Sequence, residues 1–252
     1  ELRRQRAERV RVHAHEGGPV LLVGDAAHRL GRQMAAFHQR FTFDLVIMLG
    51  DNMYGSEKAV DYKQKFEDIY KPLLDQKVKF YAALGNHDEP AQRFYQLFNM
   101  DGKEYYRFTK GNIAFYALNS NYMDKKQVDW LNDKLAADTA PWKITFFHHP
   151  PYSSGGKHGS DDQLREVIEP IFVKHGVNVV LTGHDHFYER TKPQQGIVYF
   201  VVGAGGQLRS GNIDRSSPLT EKGNDTDYSF LIAEIDGERV DVVSEGEWRH
   251  FA

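Results

Sequence analysis

Residues 44–54 read DLVIMLGDNMY, residues 143–150 read KITFFHHP and residues 177–186 read VNVVLTGHDH. Each is a run of β-branched and large apolar side chains that stops abruptly at Asp, Asn or His. Such runs, apolar on both faces of an extended chain, read as buried strands. Working outward, the same unit recurs six times, at 19–25, 44–51, 78–87, 112–119, 143–149 and 177–186. Segments of helical period lie between most of them, at 58–74, 91–98, 125–137 and 162–175. Strands alternating with helices predict a mainly parallel sheet covered on its faces. From Gly196 onward the pattern changes to runs at 197–202, 228–235 and 240–244, with Asp236-Gly237 as a hairpin turn, so the C-terminal part is expected to be antiparallel. At the other end Val10, Val12 and Ala14 alternate, which predicts an edge strand. No linker interrupts this order. A single domain is expected over 1–252, with residues 1–18 as the edge strand and a terminal segment.

Composition narrows the chemistry. The 252 residues are 40% hydrophobic and 27% charged, a globular balance, and the net charge of -3 offers no bulk field for nucleic acid or an anionic membrane. With no cysteine there is no disulfide, no thiolate nucleophile and no Cys-bound metal. His, Asp, Glu, Asn and Tyr remain as side-chain ligands. No apolar stretch reaches the length of a membrane span, and the opening ELRRQRAERV lacks the apolar centre of a signal peptide. The chain begins at Glu1 rather than Met, so an upstream segment that can hold an export signal is expected.

The chemistry is concentrated where the strands stop, because the C-terminal strand ends of an open α/β sheet form its ligand crevice. Asp25, Asp51, Asn86, His148 and His184 all stand there. Singly, each reads as a helix cap or a turn residue. Five strands that all end in hard or imidazole ligands, with no Lys or Arg between strand and ligand, are poorly explained as five separate caps.

Those residues carry a resemblance. Gly24-Asp25, Gly50-Asp51-Asn52-Met53-Tyr54, Gly85-Asn86-His87-Asp88, His148-His149-Pro150 and Gly183-His184-Asp185-His186 occur in this order, and the set resembles the calcineurin-like metallophosphoesterases, in particular the purple acid phosphatases. The resemblance implies a four-layer α/β/β/α sandwich with two central mixed sheets. It implies two metal ions bridged by Asp51, with Asp25, Tyr54 and His186 completing one site and Asn86, His148 and His184 the other. A phenolate and carboxylates suit Fe(III), while imidazoles with an amide oxygen suit Zn(II), Mn(II) or divalent iron. The His184-x-His186 spacing fits, since alternate residues of an extended segment point the same way. Ala27 stands where the broader family has a ligand histidine, and Tyr54 is where purple acid phosphatases supply a tyrosine instead. His28, three positions after Asp25, reads either as a ligand in an unusual loop or as an exposed histidine in a first helical turn.

The same resemblance implies further roles. The family pattern selects His148 over His149 as ligand, and strand alternation lets only one of the pair point inward. His87 resembles the histidine that contacts the phosphate and protonates the leaving group, with Asp88 placed to hold its ring or tune its charge. His158, in the Gly- and Ser-rich loop 153–160, reads as a second substrate-facing histidine or as a solvated loop residue. Arg190 reads as an aid to an anionic substrate, as a partner of Glu189 or as a sheet-edge residue. Gly203-Ala204-Gly205-Gly206 reads as a tight turn rather than a phosphate cradle. His13, His15, His38, His175 and His250 read as surface residues, and Phe94, Tyr95 and Phe98 as core or rim. The expected activity is hydrolysis of small phosphate monoesters by metal-activated water. The alternatives are a phosphodiesterase on a nucleotide-type substrate and a non-catalytic scaffold of the same fold. Neither nucleic acid nor a membrane span is expected as partner, and the resemblance favours an exported protein, periplasmic or extracellular.

Overall fold

The computed structural model describes residues 10–15, 26–236 and 239–244, with side chains from residue 29 to residue 233. The expected strand at 19–25, Gly24-Asp25 and His250 lie outside them, as do the side chains of His13, His15 and His28.

Two mixed sheets form the centre. The first contains β1 (Val10–His15), β2 (Leu45–Leu49), β3 (Lys79–Ala83), β11 (Leu231–Asp236) and β12 (Arg239–Ser244), in the order β12-β11-β1-β2-β3. The second contains β4 (Tyr106–Lys110), β5 (Ile113–Ala117), β6 (Trp142–Phe146), β7 (Val179–Thr182), β8 (Tyr188–Thr191), β9 (Val198–Val202) and β10 (Thr220–Asn224), in the order β10-β8-β9-β7-β6-β5-β4. β1 is not an edge strand. It pairs antiparallel with β11 and parallel with β2, so the alternation of Val10, Val12 and Ala14 belongs to a strand with neighbours on both sides. The predicted C-terminal hairpin is present as β11 and β12.

Burial by alternate residues shows the layers. On β5, Ile113, Phe115 and Ala117 join the core that contains β2 and β3, with Leu30, Met34 and Phe37 of α1 (Ala26–Arg40). The intervening Ala114 and Tyr116 pack with Leu131 and Leu135 of α4 (Lys125–Ala136) and with Leu164, Ile168 and Phe172 of α5 (Asp162–His175). The second sheet is therefore covered by the first sheet on one face and by α4 and α5 on the other. All five residues of β2 are buried, as a strand covered on both faces requires. This is the expected four-layer arrangement. Among the described residues, no helix is long and apolar enough to cross a membrane.

Local signals set the helix ends. The Asp124 side chain accepts from Gln127 N and that of Asp161 from Leu164 N, while Gly176 closes α5 at φ 67°. The helix expected at 58–74 is α2 (Ala59–Tyr62), a π-helical turn at Lys63–Glu67 and α3 (Asp68–Leu74). The segment at 91–98 is not α-helical: it forms two short 3₁₀ turns, Pro90–Phe94 and Gln96–Phe98, with Phe98 in the core and Phe94 exposed. His38 is buried rather than on the surface, with Nε2 3.1 Å from the Phe43 carbonyl, and His175 joins α5 to Asn132 of α4.

Candidate metal centre

Parallel strands β2, β3, β6 and β7 all end on the same side, and the loops that leave them bring Asp51, Asn86, His148 and His184 together. Two glycines make the approach possible. A Cβ on Gly85 would lie 2.2 Å from both the backbone N and Oδ1 of Asp51, and one on Gly50 would lie 2.6 Å from His148 Nδ1. Gly50 also has φ 89°, followed by Asp51 at φ 47°, and His184 has φ 70°. A non-glycine residue in this left-handed region stores local strain, here at two of the candidate ligands.

His148 is fully buried, and its Nδ1–H donates to the Leu49 carbonyl at 3.0 Å. Burial, reinforced by His149, holds its pKa well below the usual imidazole value. With the proton on Nδ1, the lone pair of Nε2 faces Asn86 Oδ1 at 2.9 Å, His184 Nδ1 at 3.0 Å and Asp51 Oδ1 at 3.5 Å. Electron-pair donors converging at the mouth of a crevice, with His148 and Asp51 buried beneath, are accommodated when a cation sits among them, so this donor set fits a metal ion. Asp51 is 1% exposed. Its Oδ1 accepts from the His87 backbone N–H at 3.0 Å and its Oδ2 from the Tyr54 hydroxyl at 2.6 Å. The two carboxylate oxygens therefore face different partners, His148 on one side and Tyr54 on the other.

His186 is buried near this cluster. Burial first, and then the charge of Arg209, push its pKa down to about 4. Between His184 and His186, Asp185 is fully buried and points elsewhere. Its Oδ2 accepts from Ser153 Oγ at 2.6 Å and from Gly159 N at 3.1 Å, and a Cβ on Gly155 would meet it at 2.3 Å. Asp185 thus fixes the 153–160 loop, and that loop places the His158 ring 4.2 Å from the His184 ring. This bracing role has no spacing signal in the sequence, because 184–187 is a bend rather than an extended segment, with His184 at φ 70°, and strand alternation does not set where Asp185 points.

The exposed His87 ring lies 4.9 Å from the Tyr54 ring. Asp88 does not hold it. The Asp88 carboxylate accepts from Gly85 N, Met53 N, Asn52 Nδ2 and Gln92 Nε2, which ties the Asp51 loop to the Asn86 loop. Burial, then the nearby Asp51 charge, raise its pKa to about 7. Asp88→Ala leaves the Gly85 and Met53 backbone N–H groups without their acceptor, while Asn52 Nδ2 keeps Ala83 O and Gln92 Nε2 keeps Glu57 Oε1, and is expected to cost about 2 kcal/mol, read as a lower urea midpoint with an unchanged slope.

His149 also departs from expectation. β6 ends at Phe146, so strand alternation does not govern the pair, and His148, His149 and His184 each offer a ligand atom within 4.8 Å of the others. His149 Nδ1 is 2.9 Å from Ser120 Oγ, in the loop whose Asn121 donates to the Gly85 carbonyl. Arg190 is not at the site: it faces Glu221 across the β8–β10 pair, while buried Glu189 accepts from Ser154 N and Thr220 Oγ1. The Gly203–Gly206 segment is a turn after β9.

The sequence aligns with purple acid phosphatase 17 of Arabidopsis thaliana at 26% identity over 77% of this chain and 70% of that protein. It aligns with rabbit (Oryctolagus cuniculus) tartrate-resistant acid phosphatase type 5 at 28% identity over 69% of this chain and 65% of that protein, so it spans about two thirds of these relatives. The solved structure of GAP50, described as the anchor in the inner membrane complex of Plasmodium, shares the fold with a TM-score of 0.76 at 18% identity, covering 94% of this chain and 84% of that one. The signature of calcineurin-like phosphoesterases matches residues 18–188, more than half of the chain, and takes in Asp51, Asn86, His148 and His184. The chain belongs to the calcineurin-like phosphoesterase family, whose members are phosphoric ester hydrolases.

Proposed function

We propose that this protein is a dinuclear metal-dependent phosphomonoesterase of the purple acid phosphatase type. The observation that carries this reading is the split environment of Asp51: Oδ1 faces His148, and Oδ2 accepts from Tyr54. A carboxylate with imidazole and amide donors on one side and a phenol on the other suits one bridging group between two unlike ions. Asn86, His148 and His184 would hold the divalent ion, and Tyr54, His186 and Asp25 would hold Fe(III). When bound, the pair supplies positive charge to the phosphoryl oxygens and acidifies a water for in-line attack.

The chain's own residues do the rest. The Nδ1–H bond of His148 to Leu49 fixes which nitrogen it offers. The Asn86 side chain, at the exposed mouth of the crevice, is aimed at the same centre and helps to stabilise the equatorial phosphoryl oxygens. His87 sits beside Tyr54, where its ring reaches the leaving oxygen and donates a proton to it. His158, held over His184 by the Asp185-braced loop, assists the leaving group. Small phosphorylated compounds are the substrates of this reading, and an exported location goes with it.

The GAP50 likeness favours the second reading, a non-catalytic scaffold, because that protein's described role is an anchor. The complete set of donors at the described strand ends argues for catalysis. A direct comparison of 4-nitrophenyl phosphate with bis(4-nitrophenyl) phosphate tests the proposal. Faster turnover of the monoester supports it, preference for the diester points to a phosphodiesterase, and turnover of neither supports the scaffold.

Tyr54 decides the metal pair. A phenolate on Fe(III) absorbs in the visible, so iron-loaded protein is expected to be coloured, and Tyr54→Phe to bleach it with the circular dichroism unchanged. A trivalent ion also acidifies bound water more strongly than zinc, for which the pKa is about 7, so activity is expected to peak at acid pH. Colourless iron-loaded protein with an alkaline optimum in Mn(II) or Zn(II) would remove Tyr54 from the ligands.

A further inference from the structure

Beside the donor cluster lies a cation without a counter-ion among the described residues. Arg209 lies in the irregular segment after β9, and its backbone N–H donates to the His186 carbonyl at 2.9 Å. Among the described residues its guanidinium makes no ion pair, and Nη1 is buried without a hydrogen-bond acceptor. Guanidinium stays charged at any working pH, and a buried charged donor without an acceptor is costly. Arg209 as a whole is half-buried, so an anion in the crevice can reach its fork and give Nη1 the acceptor it lacks.

Backbone contacts place the Arg209 segment beside the site. The 153–160 loop is stitched to the Arg209 segment: Gly156 N donates to Asn212 O at 2.8 Å, Asp214 N donates to Ser154 O at 3.0 Å, and Gly155 pairs with Ile213. Arg209 thus shares a wall with His158, whose ring is 4.2 Å from His184. Its charge acts on both His186 and His158, and Lys157 adds a second cation to the same side.

We propose that Arg209 binds a non-bridging oxygen of the substrate's phosphoryl group on the His158–His186 side, and so selects phosphomonoesters over diesters. This rests on the hydrolase reading of the site. A guanidinium can bond two oxygens of one phosphoryl group through its planar fork. A diester has two non-bridging oxygens where a monoester has three, and never more than one charge, so it offers the fork less once the metal pair is engaged.

The test is calorimetric titration of metal-loaded protein with inorganic phosphate, for wild type, Arg209→Lys and Arg209→Ala, with metal content and melting temperature measured on each. Arg209→Ala is expected to weaken phosphate binding tenfold or more at unchanged metal content, and Arg209→Lys to weaken it less. KM for 4-nitrophenyl phosphate is expected to rise by a similar factor, while kcat/KM for bis(4-nitrophenyl) phosphate changes less than threefold. Phosphate affinity within threefold of wild type in Arg209→Ala, equal losses on both esters, or no phosphate binding by wild type would each overturn the proposal. If wild type binds phosphate but hydrolyses neither ester, the hydrolase reading fails, and the titrations still decide the role of Arg209.

Discussion

Asp51→Asn is expected to empty both metal sites and to lower kcat/KM at least a thousandfold, about 4 kcal/mol of transition-state stabilisation. The substitution keeps the side chain's shape. It removes the charge that would lie between the ions, and it replaces one oxygen by an amide that donates where the Tyr54 hydroxyl and the His87 N–H also donate. A ligand serving only one ion would affect that ion alone. Elemental analysis of the purified variant checks this: loss of both metals supports the bridge, whereas loss of one with the other retained at full occupancy assigns Asp51 to a single site.

The second large effect separates the paired histidines. His148→Ala is expected to lower kcat/KM by several hundredfold or more, about 3 to 4 kcal/mol, while His149→Ala lowers it by about tenfold. His148 has one nitrogen fixed by Leu49 and the other facing Asn86 and Asp51. His149 lies in the same cluster, yet its Nδ1 is engaged by Ser120, away from Asp51. Steady-state kinetics with metal analysis on both variants gives the ranking, and the reverse order would make His149 the ligand.

The strand ends were legible because two periodicities met there. Runs such as DLVIMLGD and VNVVLTGHDH are apolar on both faces and stop at ligands, and that pattern marks both a doubly covered strand and the crevice beyond it. The four layers became visible only in burial, since Ile113 and Ala114 look alike in sequence but pack in different cores. β4, β8 and β10 carry no such signature: their sequences, YRFTK, YERT and TEKGN, mix polar with apolar residues or lack apolar ones. The position of β1 depends on pairing with β11, more than two hundred residues later in the chain, which no local pattern encodes. At the site, Asp88 was misread for a similar reason. Its neighbour in sequence is His87, but its hydrogen-bond partners come from Asn52, Met53, Gly85 and Gln92. Arg209 carried no spacing signal, because an irregular loop delivers it to His186.

The central claim is that two ions held around Asp51 hydrolyse a phosphate monoester. Protein loaded with iron and zinc and freed of excess metal should contain two metal ions per chain, hydrolyse 4-nitrophenyl phosphate, lose that activity on chelation and regain it when both metals return. Full activity with one ion or none per chain, or two bound ions without hydrolysis, would contradict it.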